Sequence, residues 1–421
     1  MDGGDLPASG LEPFDRMLAR SASRFGTPQF LYDTRAIEAR IAELRAAFGG
    51  RFALSYAVKA NPNPALLGWL RERIDFLDVS SIGEFHRARN AGWAPDRASF
   101  TGPGKRDGEL REAIAGGLGE LILESAGEAR RANAIAGALG RRQDVMIRIS
   151  PDRVPKGFGD HMAGRPSPFG VDVEEIDTTL PAIAALPNLR LAGLHIYSGT
   201  QCLRAEAIVE NYAIFLDIFE RVCARHDLAP RRLVFGSGLG IPYHEGDAPL
   251  DLGAVAAGIV PALDALRAKP RFAETRLALE LGRYLVGEAG YFLTRVVAVK
   301  RSRGRSLAIC DGGMNDHLPA SGHFGMVIAR NYRMHVVGGA GPAEEVDISG
   351  PLCTSIDRLA RGARLPPLAE DDLIAVHQSG AYGPTASPLG FISHPAPVEV
   401  LLTGDGLVGT GRVSLCVERP R

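Results

Sequence analysis

The sequence predicts an α/β fold: a (β/α)8 TIM barrel followed by a C-terminal β-rich domain. Three observations predict it. Eight short apolar runs of strand length recur between residues 52 and 283. Stretches with helical apolar spacing separate them. From about residue 286 that alternation stops, and strand-like runs follow one another around Gly-rich turns. Strands alternating with helices build parallel sheets, and eight such units fit a closed barrel better than an open doubly wound sheet.

The elements come in order. PQFLYD (28–33) reads as a strand that joins the β-rich domain. Residues 36–48 place Ile37, Ile41, Leu44 and Phe48 on one helical face, with Asp33 and Thr34 before them as caps. The eight barrel runs are FALSYAVK (52–59), IDFLDVSS (74–81), ASFTGP (98–103), ELILES (120–125), VMIRIS (145–150), LRLAGLHIYSG (189–199), RRLVFGSG (231–238) and RLALELGR (276–283). Segments such as IGEFHRARNAG, RDGELREAIAGG and AEAIVENYAIFLDIFERVCARH read as the helices between them. The stretch 151–170 is a long Pro- and Gly-rich loop of the kind that often serves function. Beyond it, YFLTRVVAVKRSRGRSLAICDGG predicts two strands around an Arg-Gly turn, and DLIAVHQSGAY and APVEVLLTGDGLVGTGRVSLC predict further strands. The domains are expected at 35–285 and 286–421, with 1–34 added to the second.

Bulk composition narrows the function. A formal net charge of -1 in 421 residues gives no reason to expect nucleic acid or an anionic membrane as partner. No apolar run reaches bilayer length, and the acidic N-terminus lacks a signal core, so a cytoplasmic protein is expected. Five scattered cysteines, Cys202, Cys223, Cys310, Cys353 and Cys416, form no CxxC pair, which argues against a disulfide framework or a metal site. Most suit burial as small apolar residues; Cys353 is the exception to watch.

In a (β/α)8 barrel the chemistry gathers at the C-terminal ends of the strands. Those ends carry Lys59, Asp78, Gly102, Glu124, Arg148, His195, the turn Gly236-Ser237-Gly238-Leu239-Gly240, and Glu280 with Arg283. A strand-end lysine is either a solvated cap or an amine held in an apolar pocket, where desolvation makes it a Schiff-base nucleophile. A Gly-rich turn offers backbone N–H groups to phosphate. A carboxylate keeps a pyridinium nitrogen protonated, so that the ring acts as an electron sink. A histidine stacks on such a ring. These are the groups that pyridoxal phosphate needs.

At this point the chain resembles a known family, the barrel-type pyridoxal-phosphate decarboxylases that include diaminopimelate and ornithine decarboxylases. The resemblance runs through YAVKAN (56–61), LDVSSIGE (77–84), FTGPGKRDGEL (100–110), HIYSGTQ (195–201), FGSGLGIPY (235–243), ELGRYL (280–285), GPLCTSIDRL (350–359) and GAYG (380–383). It implies that Lys59 bonds the cofactor aldehyde and that His195 stacks on its ring. It implies that Ser198, Gly238 and Gly240 hold the phosphate, with Arg283 and Tyr382 nearby. Glu280 would pair with the ring nitrogen, Asp78 would support the site around Lys59, and Arg148 would lie close by. Cys353 would come from the partner subunit of a homodimer and return a proton once carbon dioxide has left, giving two shared active sites.

Two departures bear on substrate. Ornithine and diaminopimelate decarboxylases carry a carboxylate immediately after the active-site cysteine, and it reads the substrate's distal amino group. This chain has Thr354 there, and a distal ammonium without a partner is costly. Asp357 comes next in the same segment as a substrate-side residue. Diaminopimelate decarboxylases also place an Arg-Pro pair after an Asp-x-Gly-Met-Asn-Asp-like stretch. Here DGGMNDHLPASGHFG (311–325) has Leu318 before Pro319. Arg283 remains for anion recognition, and His317 or Arg330 is an alternative reader. ELGRYLVGEAG and SPLGFISHP are similar to the specialised biosynthetic branch. That branch includes the enzyme acting on a glutamyl group held as a thioester on an acyl carrier protein, and exopolysaccharide-associated relatives. The expected substrate is an amino acid with a conjugated, masked or carrier-bound side chain. Two other readings stay open: a decarboxylase of a free diamino acid, and a catalytically inactive binding homologue.

Overall fold

The computed structural model describes residues 11–324 and 330–413. Cys416 and the end of the last strand-like run lie outside them. The described chain divides into two compact units. One comprises Glu38–Ile241 and Ala248–Leu285; the other joins 11–37, Pro242–Asp247 and the residues from Val286 onward.

The first unit is a closed parallel barrel. Its strands are Phe52–Ala57, Phe76–Val79, Ala98–Phe100, Glu120–Leu123, Gln143–Ser150, Leu189–Ile196, Arg232–Gly236 and Arg276–Leu281. Each pairs in parallel with the next, and the last closes on the first through Leu277↔Phe52 to Leu281↔Tyr56. All eight expected runs are strands. They are legible because a barrel strand is buried on both faces, so it reads as a nearly unbroken apolar run. Inside, Ile122, Met146, Val234 and Ala278 form one core cluster. Outside the strands, Phe235 packs against the rings of Phe52, Tyr212, Phe215 and Phe219. The helix predicted over 36–48 spans Thr34–Phe48, with Ile37, Ile41, Leu44 and Phe48 buried.

The loop at 151–170 is more ordered than its composition suggests. Asp160–His161 pairs antiparallel with Gly199–Thr200, and Phe158 is fully buried. Val171–Asp172 then adds to the edge of the fifth barrel strand.

The second unit is built on a mixed sheet. Its order is Arg358–Leu365, Glu344–Ser349, Arg305–Cys310, Gly290–Ser302, Gln29–Asp33, Val398–Thr403 and Gly406–Arg412. The N-terminal strand Gln29–Asp33 pairs antiparallel with Gly290–Ser302 and parallel with Val398–Thr403. Leu373–Val376 pairs with Gly290–Ser302 and with Met334–Val336. A helix that apolar spacing does not announce, Pro13–Phe25, buries Leu18 and Ala22 against Leu293, Val337, Leu373 and Ala375. Its buried stripe includes Ser21 and Ala22, too small to register as apolar periodicity. Among the described residues no helix is long and apolar enough to cross a membrane.

Candidate active site

The first barrel strand stops at Ala57, one residue short of Val58, and Val58–Ala60 form a single 3-10 turn that carries Lys59. The hydrogen bonds of the next residues account for the Asn-Pro-Asn-Pro punctuation. Asn61 Oδ1 accepts from Asn63 N at 3.1 Å, and its carbonyl accepts from Tyr56 Oη at 3.0 Å. Asn63 caps the helix Pro64–Leu70 by accepting from Ala65 N and Leu66 N, with Pro64 at its first position. Two asparagines thus fix the turn that aims the lysine.

Of the two surroundings left open for a strand-end lysine, the structure shows the solvent-exposed one. Lys59 is exposed. Its surroundings are aromatic and anionic: Nζ lies 5.6 Å from the centroid of Tyr197, and Asp78, Glu84 and Glu280 all feel its charge. Its placement comes from the rigid turn and the carboxylate field rather than from desolvation.

The two carboxylates facing it are driven apart. Asp78 is the penultimate residue of the second strand and is buried; its Oδ1 accepts from Thr101 and from Ser99 Oγ at 3.1 Å, and Oδ2 has no hydrogen-bond partner. Burial first, then repulsion from Glu280, pushes its carboxyl up to about 8 against the pull of Lys59. Glu280 is the penultimate residue of the eighth strand. Burial alone would raise it too. The hydrogen bond from His195 Nε2 at 2.9 Å, with the charges of His195, Lys59 and Arg148, outweighs burial and holds it well below the usual carboxylate range. Asp78 therefore keeps its proton and Glu280 stays ionised, which is the pattern of a site with separated acid and base roles.

Arg148, at the fifth strand, donates to Glu124 Oε1 at 3.2 Å and lies over the rings of Phe169 and Tyr197. Sequence reasoning assigns Glu124 and Tyr197 no role. Glu124 accepts from Gly102 N and Gly170 N and so ties the third strand's exit to the end of the long loop. Its own N–H donates to Glu128, whose carboxylate pairs at 2.6 Å with Lys105, both side chains buried. Lys105 lies within the motif FTGPGKRDGEL, but only the fold brings Glu128 to it.

The turn after the seventh strand is shaped by its glycines. A Cβ on Gly236 would meet the Tyr197 ring at 2.3 Å. Gly238 sits at φ +69, where a Cβ would lie 2.5 Å from Phe158. The Gly240 N–H already donates to Cys202 O, and a Cβ there would meet the Gln201 backbone at 2.8 Å. Gly240 thus provides close approach of two segments, and its N–H is already engaged. Beside them, Ser198 is 1% exposed and its Oγ has no hydrogen-bond partner. A buried hydroxyl without a partner is costly in a finished structure and suits a site that completes itself on a phosphate oxygen. With the Lys59 amine, the ionised Glu280 and the orphaned Nδ1 of buried His195, the donor set fits pyridoxal phosphate. Arg283 opens the short helix Arg283–Val286 directly after the eighth strand.

The remaining expected residues lie in the second unit. Cys353 is exposed, whereas Cys202, Cys223 and Cys310 are buried. Thr354 is next in the same turn. Asp357 is corrected as a substrate residue: its Oδ1 accepts from Met314 N at 2.8 Å and its Oδ2 from Leu352 N at 2.7 Å, and it is buried. It clamps the Cys353 turn onto the 313–314 backbone. Tyr382 takes φ +55, uncommon for an aromatic residue, and its ring lies 6.0 Å from that of Phe324. The alternative readers of a distal anion are both engaged. His317 is fully buried, bonded to Ser379 Oγ at 2.9 Å, and burial lowers its imidazole to about 3, so it is neutral. Arg330 pairs with Asp247 at 2.9 Å. Among the described residues no group of three His, Cys, Asp or Glu side chains could hold a metal ion.

Comparison with known proteins agrees with this geometry. The pyridoxal-binding domain model of the pyridoxal-dependent decarboxylases matches residues 34–287. The L-glutamyl-[BtrI acyl-carrier protein] decarboxylase of Niallia circulans is 34% identical over 386 residues, 90% of this chain and 89% of that protein. A diaminopimelate decarboxylase of Methanothermobacter thermautotrophicus is 33% identical over 405 residues, covering 94% and 90%. The crystal structure of Helicobacter pylori diaminopimelate decarboxylase complexed with L-lysine matches with a TM-score of 0.81 at 29% identity, over 92% of this chain and 94% of that one.

Proposed function

This chain belongs to the pyridoxal-dependent decarboxylases, and on that premise we propose that its substrate is an amino acid whose side chain is conjugated, masked or carried as a thioester, with a glutamyl thioester as the first candidate. The enzyme is a pyridoxal-phosphate-dependent carboxy-lyase. The observation that carries the substrate reading is the loss of the expected readers of a charged far end other than Arg283. Thr354 brings no carboxylate, Leu318 stands where an arginine is expected, His317 is neutral and buried, and Arg330 is paired. A substrate with a free distal ammonium would be desolvated without a partner, and a free distal carboxylate would have only Arg283. The N. circulans relative, which acts on a carrier-bound glutamyl group, supports the same reading.

The residues divide the work. Lys59 would hold the cofactor aldehyde through its amine, give it up to the substrate amine and displace the product amine at the end of the turnover. Ser198 Oγ and the backbone around Gly238 receive the phosphate. Glu280, kept ionised by His195, holds the proton on the ring nitrogen. Bound pyridoxal phosphate supplies the electron sink for the charge left when carbon dioxide departs. Asp78, retaining its proton, limits the negative charge around Lys59. Cys353 of a second copy of the chain returns a proton to the substrate carbon, so the working form is a homodimer with shared sites, acting in the cytoplasm. An inactive homologue would not be expected to keep Lys59, Glu280 and Cys353 together.

The test is carbon dioxide release by the cofactor-loaded protein, whose visible absorbance confirms loading. The panel is free diaminopimelate, ornithine, lysine and arginine beside the L-glutamyl thioester of pantetheine. Release from the thioester alone is expected. Rapid release from a free diamino acid would overturn the substrate reading. Thr354→Asp should move preference the other way, raising kcat/KM for ornithine or lysine by about tenfold, the worth of one charge-assisted hydrogen bond.

A further inference from the structure

A groove of the second unit contains none of the residues to which catalysis or cofactor binding has been assigned. It encloses about 730 Å3 between residues 330–334, the strand Arg358–Leu365 and the His244–Glu245 corner. Arg330, Arg333, Arg358, Arg361 and Arg364 line it, and Glu245 is the sole lining carboxylate among the described residues. Arg330 is matched by Asp247, and Arg364 donates only to the Ala343 carbonyl at 3.3 Å. The guanidinium groups of Arg333, Arg358 and Arg361 make no hydrogen bond or ion pair with any described residue. In a chain of formal net charge -1 this is a concentrated positive field.

The walls are built to stay in place. Asn331 bonds both ways to the Arg361 backbone: its Oδ1 accepts from Arg361 N at 3.0 Å and its Nδ2 donates to Arg361 O at 2.8 Å. Tyr332 is buried against Tyr243, with ring centroids 4.8 Å apart. The groove is also continuous with a catalytic element. Its strand begins at Arg358, one residue after Asp357 clamps the Cys353 turn, and His323 on the opposite wall lies 3.3 Å from the Ile356 carbonyl.

Arginine forks left unpaired in a preformed concavity fit carboxylates and phosphates of a partner surface. A small free amino acid needs no such area. We propose that this groove docks the acidic surface of the carrier protein that delivers the substrate, bringing the carried group to the enzyme beside the Cys353 turn. The proposal rests on the carrier-bound substrate reading, and it predicts that affinity resides in the carrier rather than in the amino acid.

The experiment measures binding and turnover separately. The probe is the phosphopantetheinylated, unacylated BtrI carrier protein of the N. circulans relative, labelled for fluorescence anisotropy and titrated with cofactor-loaded enzyme. Arg333→Glu/Arg361→Glu/Arg364→Glu is compared with wild type and with the corresponding triple Gln variant. Kd should rise at least about tenfold in the Glu variant, less in the Gln variant, and should rise with salt in wild type. Turnover of the pantetheine thioester should be unchanged in both variants, which also shows that they fold. Absence of carrier binding by wild type, equal binding by the Glu variant, or equal affinity for an oligonucleotide of similar charge overturns the docking proposal. Carrier binding without thioester turnover would instead overturn the substrate reading and leave the groove assigned.

Discussion

Asp78 and Glu280 carry the same functional group and face the same lysine, yet the fold leaves them in opposite states. The sequence puts both at strand ends but cannot rank them, because the ranking comes from which one His195 and Arg148 reach. The consequence is measurable in the cofactor-free protein. Between the ordinary carboxylate range and the raised value of Asp78, the folded chain holds a proton that the unfolded chain has lost. Stability therefore falls as pH rises through that window, by up to roughly 1.4 kcal/mol per pH unit. Glu280 acts in the other direction and outside that window: its stabilisation is present above the unfolded carboxylate value and is lost only as pH falls through its depressed one. Asp78→Asn removes the first slope. The melting temperature of the variant relative to wild type should therefore climb between about pH 5 and about pH 8. A difference that does not change with pH would show that Asp78 ionises normally. Lys59, His195 and Cys353 are legible as chemistry-bearing residue types at motif positions. Asp357 is not, because a carboxylate near Cys353 looks like a substrate group until both of its oxygens are seen on backbone N–H groups.

At the scale of elements, the barrel strands and the main helices can be read from apolar pattern alone, since burial on both faces or on one stripe leaves a plain record. The arginine groove cannot. Arg358, Arg361 and Arg364 are spaced by three on a strand, a spacing that ordinary alternation sends to opposite faces. Register shifts opposite Ile348, with Gly362 at φ +57, break the alternation and gather them. The order of the loop 151–170 is equally hidden, because it depends on one buried ring, Phe158, set against Gly238. Phe158→Ala removes a side chain of the class whose loss costs about 3–5 kcal/mol in a core. In a loop that can open by itself, the loss should appear locally. Hydrogen exchange within 151–170 should accelerate and affinity for pyridoxal phosphate should weaken, with the melting temperature of the barrel little changed. Uniform exchange in variant and wild type would mean that the ring does not anchor the loop.

For the whole molecule, the proposed sharing of sites makes a quantitative prediction. Lys59→Ala and Cys353→Ala are each expected to be inactive as homodimers. Mixed and re-associated in equal amounts, they should regain about a quarter of wild-type activity, because half the dimers are mixed and each mixed dimer has one intact site. No recovery on verified exchange of subunits would place both residues in the same protomer's site. The second unit holds a different kind of consequence. Its sheet seats Gln29–Asp33 between Gly290–Ser302 and Val398–Thr403, and Tyr32 bonds Glu399, 367 residues away. At roughly 5–20 residues per second, a ribosome needs roughly 20 to 70 s to deliver that neighbour. The barrel strands emerge in consecutive order and the barrel can close once residue 281 is made, whereas the strand Gln29–Asp33 keeps one edge open until Val398–Thr403 is made. A chaperone that shields extended apolar segments near the N-terminus of the nascent chain would therefore matter more to the yield of this enzyme than one acting on the finished barrel.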